Sequence, residues 1–237
     1  MENHEYKGQI KQKVYKDKQS NYLNMNPGNP KGLPDESFHF QNTIGFIDEA
    51  FLSKLAKHFG KGKYIKFDRY SFAENIAKKQ RLKCEHIFLY TAPPFQSPKP
   101  TKEEEKKREG YDKFIYKLKE KGIQVKEGRC QRLKIDGKFE YYQKAVDVLL
   151  AMDLTNVSFK FPKIKKIILI SSDSDFVPVI KNLSENSVKT ILYTYYEKGR
   201  KAFFSTSNEL IKSVHKYVLI TKEDFTNATL DKGEIGK

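Results

Sequence analysis

Tryptophan is absent from this chain, and cysteine occurs only twice, at Cys84 and Cys130. Two isolated cysteines supply neither a disulfide framework nor a zinc site, since both need closely spaced sets. The five histidines, His4, His39, His58, His86 and His215, are scattered, and none stands at metal-ligand spacing from another histidine or cysteine. Long apolar runs are also missing. No stretch approaches the roughly 20 apolar residues that span a bilayer, and the opening MENHEYKGQIKQKVYK lacks the apolar region of a signal peptide. The expectation is a soluble, cytoplasmic protein with no membrane partner. What the chain does have is positive charge: 45 Lys and Arg against 30 Asp and Glu give a net +15. Such a balance favours polyanionic partners, nucleic acid among them.

Along the 237 residues the character changes once. Residues 1 to about 40 are rich in Lys, Asn, Gln, Pro and Gly without a period of 2 or 3.6, and read as a basic, extended or disordered segment. From Thr43 short apolar runs of strand type alternate with longer amphipathic stretches. The expected strands are Thr43 to Ile47, His86 to Tyr90, Lys166 to Ile170, Thr190 to Thr194 and, more weakly, Tyr217 to Ile220. The expected helices are Ala50 to Phe59, Ser71 to Lys79, Thr101 to Lys121, Lys144 to Asp153 and Phe176 to Asn186. Continuous apolar strands suit a parallel sheet covered on both faces. The chain therefore reads as an α/β domain over 41–222 with a tail at 223–237. A Pro-rich loop after Tyr90 runs into a balanced charge cluster, which reads as a solvated helix face.

Three sets of carboxylates stand out. Asp48 follows directly on the strand TIGFI, and Asp173 and Asp175 follow on KIILI within SSDSDF. Both groups fall at the carboxyl ends of expected parallel strands, the edge where open α/β sheets bind ligands. Asp147 lies in KAVDVLLAMDL, where Asp147 and Asp153 interrupt an otherwise apolar run. A carboxylate there must be paired, metal-bound or at a rim. On a helix Lys144, Asp147 and Ala151 would share one face, with Asp153 turned away. Asp173 or Asp175, and likewise Asp48, could also be ordinary helix caps, because Asp is a preferred N-cap. Gathered at one edge, four carboxylates suit Mg²⁺, which takes one or two of them directly and keeps several waters. A cation bound in this way can supply a nucleophile and offset phosphate charge, and backbone hydrolysis of a nucleic acid follows in a basic protein.

IGFIDEAFL (Ile44 to Leu52), KAVDVLLAMDL (Lys144 to Leu154), SSDSDFVPVIKNLSENSVKTIL (Ser171 to Leu192) and STSNELIKSVHKYVLI (Ser205 to Ile220) resemble, in order, the NYN domain, the LabA-like group of the PIN-like nucleases. The resemblance implies a PIN-like three-layer sandwich with a central, mainly parallel sheet flanked by helices. It also implies an endoribonuclease dependent on Mg²⁺ or Mn²⁺ that leaves 5′-phosphate and 3′-hydroxyl ends. By motif position Asp48, Asp147, Asp173 and Asp175 would bind the metal, with Lys144 as the basic residue one turn before Asp147 and Asp153 as a weaker member. The chain departs from the pattern at Glu49, where a small residue or Asn is frequent, and at Ser172, where Gly is usual and a positive φ would strain serine.

RNA is the expected partner, with a homo-oligomer left open. Arg69, Arg129, Arg132, Arg200 and Lys201 are candidates for phosphate contacts, joined by Ser172 and Ser174 beside the acidic motif. Tyr193, Tyr195 and Tyr196 could stack on bases or fill the core. Two competing readings stay open. One is a non-catalytic RNA-binding or regulatory module of the same fold. The other is a phosphatase of the haloacid dehalogenase type, which needs Asp-x-Asp after an early strand where this chain has Ile-Asp-Glu-Ala.

Overall fold

The computed structural model describes residues 40–197 and 204–230, so the basic N-terminal segment, Arg200 and Lys201 lie outside the described residues. Six strands make one sheet: β1 (Gln41–Asp48), β2 (Leu82–Thr91), β3 (Gln124–Glu127), β6 (Lys166–Ile170), β7 (Lys189–Thr194) and β8 (Lys216–Leu219). Their order is β3-β2-β1-β6-β7-β8, and every pairing is parallel. The five expected strands are all present, and β3 is an addition. A four-residue edge strand such as QVKE carries too short an apolar run to register in sequence.

Alternation along each strand divides the core in two. Ile47, Leu89, Ile168, Ile170 and Tyr193 point to one face, where they meet α1 (Glu49–Phe59), α2 (Arg69–Lys78), α3 (Lys102–Glu120) and α8 (Lys222–Thr226). Ile44, Phe46, Tyr90, Ile167, Leu169 and Leu192 point to the other, against α4 (Val146–Thr155), α5 (Val157–Lys160), α6 (Val177–Glu185) and α7 (Asn208–Ser213). This is the expected three-layer α/β sandwich. Helix α8 revises the expected C-terminal tail, because Phe225 is fully buried with Ala228 in the first core.

From the central pair β1 and β6 the chain steps outward in opposite directions, with helices on opposite faces. A topological switch point therefore lies between the carboxyl ends of β1 and β6, where neighbouring connections diverge and leave a crevice. A second, two-stranded sheet interrupts the crossover from β3 to α4. It is an antiparallel hairpin of β4 (Arg129–Ile135) and β5 (Lys138–Lys144), turned by Asp136 and Gly137, both at positive φ (49° and 80°). Two positive φ values in a two-residue loop are what a type I′ turn needs, and Asp-Gly supplies them at low cost.

Candidate active site

Asp48 closes β1 and caps α1, its Oδ1 accepting the Phe51 N–H at 3.2 Å. Asp173 follows β6 and caps the 3₁₀ turn Ser174–Phe176, its Oδ1 accepting the Asp175 N–H at 2.9 Å. Both are helix caps, as the simpler reading of the sequence allowed, and both stand at the switch point as well. Ser171, fully buried at the end of β6, joins them: its hydroxyl donates to Asp48 Oδ2 at 3.3 Å and accepts the Asp173 N–H at 3.2 Å. The sequence reading overlooked Ser171 in favour of its neighbours. The available signal was its place as the first polar residue after an apolar strand whose parallel partner ends in Asp48.

Asp147 enters from the second face, in the first turn of α4. Acidic neighbours bear on both Asp48 and Asp147. Burial, reinforced by Asp147 and Asp173, pushes the Asp48 carboxyl up to about 6 despite its bonds to Phe51 and Ser171. Asp147, although exposed, is also raised, first by the part of its carboxyl that is shielded from water and then by Asp173 and Asp175. Among the described residues no cation pairs with any of the four. Like charges held near one another without a counter-charge repel and favour protonation.

The donor set is all hard oxygen, which selects Mg²⁺ or Mn²⁺ over softer metals. Among the described residues, no three His, Cys, Asp or Glu side chains approach closely enough to ligate one ion together. A cation at this edge could take no more than two of these side chains directly.

A comparison of the chain with known families matches the NYN domain over residues 46–221. The chain belongs to the NYN family. The NYN domain is a PIN-like, nuclease-type fold, in keeping with the parallel sheet and its acidic edge. No curated protein matches the chain.

Lys144 ends β5 rather than sitting in α4, because Ala145 at φ 67° breaks the helix before Asp147. Lys144 is exposed, with its Nζ 5.9 Å from the Tyr142 ring centre. Ser172 is half-buried without a positive φ, so serine is unstrained there, and Ser174 is exposed. Asp153 sits away from the group and takes the Tyr90 hydroxyl at 2.9 Å and Lys160 at 3.4 Å.

Arg69 is not available to a phosphate. It is only 9% exposed, bonds to Glu49 at 2.6 Å and lies over the rings of Phe67 and Phe114. Glu49, the departure from the family pattern, is thus half of a buried ion pair. Tyr193 is core, its hydroxyl donating to the Ile76 carbonyl and accepting from Gln80. Tyr195 packs against Phe59 and Phe204. Arg129 and Arg132 lie on the hairpin beside Asp147 in sequence.

Proposed function

We propose that this NYN protein, of the LabA-like group, is a cytoplasmic endoribonuclease that hydrolyses RNA with Mg²⁺ or Mn²⁺ held by Asp48, Asp147, Asp173 and Asp175. The observation that supports the reading is the convergence of Asp48 and Asp173 on Ser171 at the switch point, with Asp147 near enough to raise Asp48 and no cation paired with them among the described residues. Asp48 and Asp173 have hydrogen-bond donors in Phe51, Ser171 and Asp175, but among the described residues no cationic partner. When bound, the divalent ion lowers the pKa of water and offsets charge gathering on the phosphate.

The chain's own residues do the positioning. Ser171 and the caps fix the Asp48 and Asp173 carboxylates, so little reorganisation accompanies binding of cation and phosphate. Lys144, three residues before Asp147 and exposed, supplies positive charge to the phosphate. Water attacks phosphorus, the bond to the 3′ oxygen breaks, and the products carry 5′-phosphate and 3′-hydroxyl ends.

Incubating a labelled single-stranded RNA with the purified protein, with Mg²⁺ or Mn²⁺ and with EDTA, tests this directly. Cleavage is expected with either metal, none with EDTA, and a loss of at least about 100-fold in Asp173→Asn, the scale of removing one preorganised electrostatic contact. Full activity in that variant would remove the assignment. Salt-sensitive binding without cutting, across several RNAs and both metals, would replace the enzyme by an RNA-binding module.

A further inference from the structure

The hairpin β4–β5 is unlike the rest of the molecule. All seven residues of β5 are exposed, and three aromatic rings stand open on it: Phe139 (56% exposed), Tyr141 (57%) and Tyr142. Between Arg129 and Lys144 it carries five basic residues, Arg129, Arg132, Lys134, Lys138 and Lys144, against Asp136 and Glu140. Register puts opposed residues on one face, so Arg132 with Tyr141 and Lys134 with Phe139 form a continuous stripe. Arg132 is clamped between two rings, 4.5 Å from the centre of Phe139 and 4.5 Å from that of Phe95 in the Pro-rich loop. Phe95 in turn meets Tyr141 at 5.9 Å.

The ribbon is rooted at the acidic edge. Gly128 donates its N–H to the Thr91 carbonyl at the end of β2. A Cβ there would stand 2.4 Å from the Lys144 carbonyl, so glycine lets the two strands close up at the base. At the same base three peptide units join Lys144 to Asp147, a reach of at most about 11 Å. Three aromatic rings left open on one short ribbon among polar residues are the mark of an interaction surface.

We infer that this hairpin is the landing surface for single-stranded RNA, its rings stacking on unpaired bases and its cations following the phosphates into the acidic edge. The inference rests on the nuclease reading for its substrate and goes beyond it in naming the strand form and the binding element. Alternating rings and cations are what a single strand needs, because every unpaired base offers a π-face and every linkage a charge. A duplex hides its base faces in the stack and would engage the cations alone.

The test is equilibrium binding by fluorescence anisotropy in EDTA, using a labelled unstructured 12-nucleotide RNA and the duplex of the same sequence, with full-length protein. The single strand is expected to bind at least tenfold more tightly than the duplex. Tyr141→Ala and Phe139→Ala are each expected to weaken it about tenfold, with the salt dependence unchanged. Tyr141→Phe should restore binding, since stacking does not need the hydroxyl, and this variant separates stacking from a folding defect. Arg132→Gln should instead reduce the salt slope by about one.

Equal affinity for the duplex, or no loss in the two alanine variants, would overturn the proposal. So would a dimer in sedimentation that the alanine variants dissolve, which would give the ribbon to a second copy of the chain. Wild-type protein that binds neither RNA would overturn it together with the nuclease reading. Strand-selective binding without cleavage under Mg²⁺ would leave the hairpin standing and remove only the catalytic reading.

Discussion

Asp48 and Asp68 each end a stretch of extended backbone and cap the helix that follows, Asp48 through the Phe51 N–H and Asp68 through the Ser71 N–H at 2.7 Å. Burial pushes both carboxyls up. At Asp68, Lys121 at 2.7 Å and the Ser71 contacts outweigh burial and hold the carboxyl below its ordinary value. At Asp48 the nearby charges are Asp147 and Asp173, which add to burial, and the carboxyl rises to about 6. The residues after the two caps, Glu49 and Arg69, neutralise each other. Of these four charges, three are balanced within the chain. The fourth has no cationic partner among the described residues, a difference hidden in the sequence, which shows only Asp before a helix in both cases.

The largest effect is expected on the balanced side. Arg69→Met keeps an unbranched apolar stem but strips the cation from Glu49, which is 6% exposed. Breaking one half of a buried pair costs about 3–5 kcal/mol, to be read by urea denaturation at pH 7. A loss under about 1 kcal/mol would show that Glu49 is satisfied otherwise and would erase the contrast with Asp48.

Asp48→Asn should move stability the other way. Asn is as good a cap, so the Phe51 bond survives. The sign follows from the raised value: between 3.8 and about 6 the folded state keeps a proton that the unfolded chain has lost. Ionised Asp48 therefore costs stability, fully above about pH 6 and not at all well below pH 4. Without divalent cation the variant should be more stable than the parent by about 1–3 kcal/mol at pH 7.5 and equal to it near pH 4. Adding Mg²⁺ should narrow the gap by stabilising the parent. Equal stability at pH 7.5 in EDTA would mean that Asp48 has a counter-charge after all.

The difference between these carboxylates is where legibility ran out. Continuous apolar strands, helix faces and the placing of Asp48 and Asp173 at strand ends could be read from sequence, because burial imposes periods of 2 and 3.6. Pairing across the fold imposes no such period. Nothing local joins Arg69 to Glu49, or Lys121 to Asp68, so Arg69 read as a surface cation. The hairpin escaped because neither of its faces is buried, which removes the apolar alternation that announces a strand. Its Asp136-Gly137 turn was the one local sign. Lys144 read as helical because its spacing from Asp147 and Ala151 fits a helix, and the left-handed Ala145 that ends the strand has no side-chain signature.

The smallest effect is the coupling between Asp68 and Lys121, and it sharpens the comparison because its pH dependence should be opposite in sign to that of Asp48. Lys121 has further contacts, so a single Lys121→Met variant would mix several losses. A double-mutant cycle with Asp68→Asn, in which Asn preserves the cap to Ser71, isolates the pair. Lys121 is 29% exposed, so solvent screening limits the coupling to about 1 kcal/mol at pH 7. Because the folded Asp68 value is lowered, the pair stabilises fully above the ordinary value of 3.8 and its contribution disappears as pH falls through the lower, folded value. The coupling measured in urea should thus be the same at pH 7 and pH 5.5 and shrink only below about pH 4. That is flat over the interval in which the Asp48→Asn difference changes most. A coupling of zero at pH 7 would leave the Ser71 contacts alone to hold the Asp68 carboxyl down. The distinction between the two caps would then lie in hydrogen bonding rather than in the presence of a counter-charge.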